Sequence, residues 1–153
     1  LCLFLCTTSL ALLSCRNFVK EGRMIPEMQL VLFYGLSVIV MLIVQSYLAT
    51  RQHGMKILAE RREHITLTGI AGRSDRAVKN SIVSLVLVLP AVMALALIGQ
   101  SANETVIALQ IFLIVRILYF VAYLFLITWV RSCLWWAGTI CIFYLYAIAI
   151  SST

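Results

Sequence analysis

Charge is scarce in this chain: 12% of its 153 residues are Asp, Glu, Lys or Arg and only six are acidic, while 63% are hydrophobic. A soluble domain of this size has no means of hiding so much apolar surface. Stretches such as Ser84–Ile98 (SLVLVLPAVMALALI) lack the alternation of apolar and polar residues that the strands of a membrane β-barrel require. There is no self-similar period, and no room for a separate soluble domain. His53 and His64 have no Cys or carboxylate at ligand spacing, so no metal site is expected. The net charge of +6 comes without any nucleic-acid-binding motif. It reads instead as a topology signal and as attraction to anionic lipid headgroups.

What the chain does have is length in its apolar runs. Met28–Thr50, Ser81–Gln100, Thr105–Val130 and Ser132–Ile150 each come near or exceed the ~20 residues an α-helix needs to cross ~30 Å of hydrocarbon. The expected fold is therefore an all-α integral membrane protein, a four-transmembrane-helix bundle occupying residues 24–153. The one sizeable polar stretch, residues 51–79, carries Arg51, Lys56, Arg61, Arg62, Arg73, Arg76 and Lys79 against Glu60, Glu63 and Asp75, which places it in the cytoplasm by the positive-inside rule. Within it, Leu48–Arg62 is expected to continue the first helix, Thr66–Ser74 (TLTGIAGRS) to form a loop, and Asp75 to cap a second helix opening at Arg76. The third connection, containing Arg131, returns to the same side.

Residues 1–23 stand apart. LCLFLCTTSLALLSC is apolar but short for a span and lacks a basic start, and Leu12-Leu13-Ser14-Cys15 fits a lipoprotein box poorly. Met24-Ile25-Pro26-Glu27 reads as a native start, with the preceding residues as an apolar leader or upstream read-through. Cys133 and Cys141, eight apart in one span, cannot bridge within a helix and are expected to be free.

Polar groups at membrane depth carry the chemical information. Arg116 interrupts IFLIV and ILYF near mid-span, where insertion costs ~2.5–3.5 kcal/mol or more, and no acidic residue lies in any span core to offset it. Its partner is an amide, a hydroxyl, backbone carbonyls, water, another subunit or an anionic ligand, so a structural role and a binding role both stay open. Tyr119 and Tyr123 follow on the same helix face, where interfacial anchoring is the alternative to ligand contact. Arg76 and Asn80, one turn apart at the start of the second span, are suited either to a carboxylate or to snorkelling and helix-start duties. Together these residues point to a polar cleft between the second and third helices.

The order of these features resembles the MAPEG family, the membrane-associated proteins in eicosanoid and glutathione metabolism, over roughly Met24 to Ser151. The family's second helix opens with Arg-Ala-x-x-Asn-x-x-Glu. Arg76-Ala77-Val78-Lys79-Asn80-Ser81-Ile82-Val83 matches it at Arg, Ala and Asn. Its third helix carries Arg-x-x-Tyr-x-x-x-Tyr and a later arginine, matched here by Arg116, Tyr119, Tyr123 and Arg131. The resemblance implies a homotrimer of four-helix subunits. It implies glutathione as co-substrate, held by Arg76, Asn80, Arg116, Tyr119 and Tyr123, with Arg131 stabilising the thiolate. Val83 stands where the motif has glutamate and Ser84 where an aromatic or amide often follows. Arg131 falls one residue later than in leukotriene-synthase-type members, and Pro90 later than the usual proline.

Two functional classes follow: a glutathione-dependent transferase or peroxidase acting on lipophilic electrophiles, or a non-enzymatic membrane protein of the same fold binding lipid or a partner. A channel or transporter subunit ranks third, since one intramembrane charge makes a poor polar route. The expected location is a bacterial inner membrane. The charge asymmetry generates the first prediction: an introduced cysteine at Thr66 should be shielded from impermeant thiol reagents added to intact cells, and labelling from outside would reverse the orientation.

Overall fold

The computed structural model describes residues 25–54, 66–99 and 101–152. The expectations for residues 1–23 and for residues 55–65 lie outside them. Four helices follow in order: α1 Pro26–His53, α2 Gly69–Ile98, α3 Asn103–Leu124 and α4 Thr128–Ser151. All four are long and apolar enough to cross a membrane, and no strand occurs among the described residues. The protein is an all-α, multi-pass integral membrane protein.

A helix is the solution each apolar run must take in hydrocarbon, because it satisfies its backbone groups within the segment. Helices α2 and α3 pack against each other and each against both α1 and α4, whereas α1 and α4 do not meet among the described residues. Val31, Tyr34, Val88, Val92, Leu95, Leu109, Phe112 and Leu145 fill the main core. Met41, Ala77, Val78, Tyr119 and Phe120 form a smaller cluster toward the basic end. Large apolar side chains such as Phe33, Ile43, Val86 and Phe143 point outward, the arrangement expected where the surrounding solvent is lipid.

Polar ties between helices supplement this packing. Tyr34 Oη donates to the Ser81 carbonyl at 3.0 Å, joining α1 to α2. Pro90 cannot donate to the α2 ladder and disturbs the preceding turn, where the Tyr146 hydroxyl from α4 donates to the Leu87 carbonyl at 3.0 Å. At the end opposite the basic stretch, the fully buried Glu27 carboxylate accepts from Ser101 Oγ (2.9 Å) and Thr105 Oγ1 (2.7 Å). It therefore sits at the N-terminus of α3, where exposed N–H groups favour negative charge.

Three boundaries differ from the sequence reading. The segment Thr66–Ser74 is not a loop throughout, because α2 begins at Gly69. Its first turns bury Ala71, Gly72 and Ser74 against the bundle, and that packing overrides their weak helix preference. Asp75 consequently lies inside α2 and pairs with Lys79 at 2.8 Å instead of capping. Helix α1 stops at His53, where Gly54 adopts φ +78° and its N–H bonds to the Thr50 carbonyl. The apolar run expected to extend to Val130 breaks after Leu124 in a turn through Phe125, Leu126 (φ +63°) and Ile127. Arg131 thus belongs to the first turn of α4, not to a connection. Arg73 Nε donates to the Leu124 carbonyl at 3.2 Å, tying off an end that α3 would otherwise leave unpaired.

Removing the Glu27 acceptor strands the Ser101 and Thr105 hydroxyls and empties the dipole site. Glu27→Ala should lose roughly 2 kcal/mol of stability, with Glu27→Gln intermediate. Thermal unfolding in mild detergent measures this, and an unshifted midpoint for Glu27→Ala would show the clasp to be unimportant.

Candidate functional site

Heptad-like spacing on α3 puts Arg116, Tyr119 and Tyr123 along one face, and the neighbouring helices determine what each one meets. From α2, Asn80 Nδ2 donates to Tyr119 Oη at 2.6 Å. Tyr119 is buried, and its ring meets that of Tyr123 edge-on with centroids 5.5 Å apart. From α4, the Arg131 guanidinium lies 4.6 Å from the Tyr123 ring centre, an attraction of order ~1 kcal/mol that also holds the arginine in place. Asn80, Tyr119, Tyr123 and Arg131 therefore form one unbroken line across three helices.

Arg116 continues that line inward. Its guanidinium sits 5.9 Å from the Tyr119 ring centre and 5.4 Å from that of Phe112. The side chain is 2% exposed, and neither Nε nor Nη1 has a hydrogen-bond partner among the described residues. Gly138 of α4 makes the space for it: a Cβ there would lie 2.8 Å from Nε, closer than real contacts come, and 3.2 Å from Cζ, a tight approach. A side chain at position 138 would push the Arg116 guanidinium aside, so glycine there lets α4 approach with the arginine in its present place.

Beside Arg116 opens a cavity of about 560 Å³ between α2 and α4, lined by Asn80, Val83, Leu87, Thr139, Phe143 and Ile150 among others. The expected cleft between α2 and α3 is thereby corrected. Those helices close on each other through Asn80 and Tyr119, and the space beside them lies between α2 and α4, with Arg116 contributed from α3. Arg76 is exposed one turn before Asn80, and no hydrogen bond or ion pair among the described residues engages it. It stands apart from the line of contacts.

Sequence reasoning missed the α4 wall and the cap supplied by Arg73. Gly138, the lone glycine of the fourth span, is the signal that was available, since glycine inside an apolar helix marks close approach. Val83, singled out only as a missing glutamate, proves to be part of the cavity wall.

Neither a curated protein nor a solved structure matches the chain. Comparison with protein-family profiles matches the MAPEG family over residues 30–151, which takes in all of α2, α3 and α4 and most of α1. With four membrane-spanning helices in place and the match covering most of the chain, the protein belongs to the MAPEG family.

Proposed function

We propose that this protein is a glutathione-dependent transferase or peroxidase acting on lipophilic electrophiles drawn from the bilayer, and that it works as a homotrimer. The observation that carries this reading is the line Asn80–Tyr119–Tyr123–Arg131, an amide, two phenols and a cation in sequence, whose Asn80 end borders an apolar cavity. The unengaged Arg76 head suits a carboxylate of the tripeptide, and Asn80 offers an amide to its backbone. Arg131, held against Tyr123, is the cation for the thiolate. The lipophilic partner occupies the cavity, with Arg116 at its polar end.

The chemistry required of these residues is modest. A thiol of pKa near ~8.5 is mostly protonated at neutral pH, and each unit of depression takes ~1.4 kcal/mol of preferential thiolate stabilisation. A guanidinium nearby favours the charged form, so the bound thiol deprotonates at lower pH. In a conjugation, the thiolate sulfur forms a bond to the electrophilic carbon while the bond to the leaving oxygen or halide breaks with its electron pair.

A second reading, a non-enzymatic membrane protein binding lipid or a partner, is favoured by Val83. It lies on the cavity wall and cannot accept a hydrogen bond from an ammonium or amide.

Titrating thiolate absorbance against pH at saturating glutathione separates the two. Wild type should show a bound pKa at least about one unit below that of free glutathione, and Arg131→Ala should restore most of that unit with binding retained. Arg76→Ala should weaken calorimetric binding itself. Absence of any thiolate signal in wild type leaves the non-enzymatic reading. For assembly, mass measurement in mild detergent should give three copies, and a monodisperse monomer would remove the trimer.

A further inference from the structure

The connection between α3 and α4 is short and carries no glycine, yet Leu126 within it takes φ +63°, a backbone region that a bulky side chain rarely adopts. Phe125, Leu126 and Ile127 are all exposed, so packing inside the bundle does little to fix it. Hydrogen bonds do more: the Phe125 N–H bonds to the Val121 carbonyl and the Ile127 N–H to the Ala122 carbonyl, both within the α3–α4 hairpin. From outside the hairpin, among the described residues, one further bond reaches this point, from Arg73 Nε of α2 to the Leu124 carbonyl at 3.2 Å. Arg73 is a firm anchor for it. Gly72 before it leaves no room for a Cβ against the Leu67 carbonyl, and Ser74 after it is fully buried. A guanidinium at a helix C-terminus also meets the negative end of the dipole.

We propose that Arg73 is a positioning residue for Arg131: by fixing the Leu124 carbonyl it holds the α3–α4 turn in the conformation that lays the Arg131 guanidinium on Tyr123. The bond lands between two parts that have to stay aligned. Tyr123, the neighbour of Leu124, supplies the ring whose centre lies 4.6 Å from the guanidinium. At the far end of the turn, the Ile127 carbonyl accepts the Arg131 N–H at 3.0 Å. A backbone held in a sparsely populated region persists only while its surroundings over-determine it. Without the Arg73 bond the turn relaxes at Leu126, and the first turn of α4 shifts relative to the ring. A displaced cation stabilises a thiolate less, because the attraction falls with separation. This inference rests on the glutathione reading and adds to it a residue that acts through Arg131, without contact with the tripeptide.

Thiolate absorbance titrated against pH at saturating glutathione, with calorimetry on the same variants, tests it. Arg73→Met keeps an apolar stem and loses the donor. It should raise the pKa of the bound thiol by at least about half a unit while the dissociation constant stays within about twofold of wild type. Arg73→Gln should leave that pKa near its wild-type value, because the glutamine Nε2 is as many bonds from Cα as the arginine Nε and donates to the same carbonyl without charge. Arg73→Asn, whose amide falls one carbon short, should behave like Arg73→Met, so the Gln and Asn pair carries the test should Arg73→Met fail to fold. With Arg131→Ala already present, losing the Arg73 donor should move the pKa no further, the non-additivity of a residue that acts through another. Three results overturn the proposal: a pKa indifferent to loss of the donor, a rise in Arg73→Gln equal to that in Arg73→Asn, which makes the charge itself the agent, or a tenfold loss of affinity, which makes Arg73 a ligand of the tripeptide. Absence of a thiolate signal in wild type overturns the glutathione reading and this inference together, whereas the other three leave that reading in place.

Discussion

A guanidinium held in the middle of a membrane protein constrains everything packed around it. Arg116 cannot reach either headgroup layer from its place on α3 without leaving the bundle, so the neighbouring helices have to accommodate a bulky charged side chain at their closest approach. They do so by subtraction on one side and by aromatic faces on another. Gly138 removes a side chain from α4, and the rings of Phe112 and Tyr119 offer electron-rich faces to the cation. Among the described residues that arrangement leaves the hydrogen-bonding capacity of Nε and Nη1 unmet, and a cavity opens beside the guanidinium.

The remaining polar interactions sit where helices begin, end or bend. Glu27 closes the start of α3, Arg73 its end, and the Tyr146 hydroxyl reaches the turn that Pro90 disturbs. In hydrocarbon, apolar contact alone discriminates weakly between neighbours, because lipid tails are as apolar as leucine. Directional ties of this kind therefore set which helices adjoin and in what register. The Asn80–Tyr119 bond does so at the candidate site, and it closes α2 onto α3 so that the open space falls toward α4.

Family membership gives this geometry a context without deciding its chemistry. Asn80, Arg116, Tyr119 and Tyr123 at the motif positions connect with Arg131 while Arg76 stands apart, and Val83 lines the cavity with an apolar side chain where the motif has a carboxylate. Loss of that carboxylate changes the charge balance around Arg116 from within the protein.

The four spans were legible in the sequence because the hydrocarbon thickness imposes a length on any apolar run that crosses it, and because charge is sparse within the runs and gathered most densely in residues 51–79. The stripe of Arg116, Tyr119 and Tyr123 was legible for a similar reason, since helical periodicity follows from spacing alone. Boundaries were less so. The apolar turn at Phe125–Ile127 carries no glycine or proline to announce it, and Gly69–Ser74 is helical because of what it packs against. Sequence by itself determined the number of spans, the basic end and the face that bears the arginine and tyrosines. Only the tertiary structure decided that Asn80 bonds to Tyr119, that Gly138 yields space to Arg116 and that the cavity opens between α2 and α4. Those facts depend on the rotation and offset of one helix against another, and many side chains share in setting them, whereas span length and face are properties of a single helix.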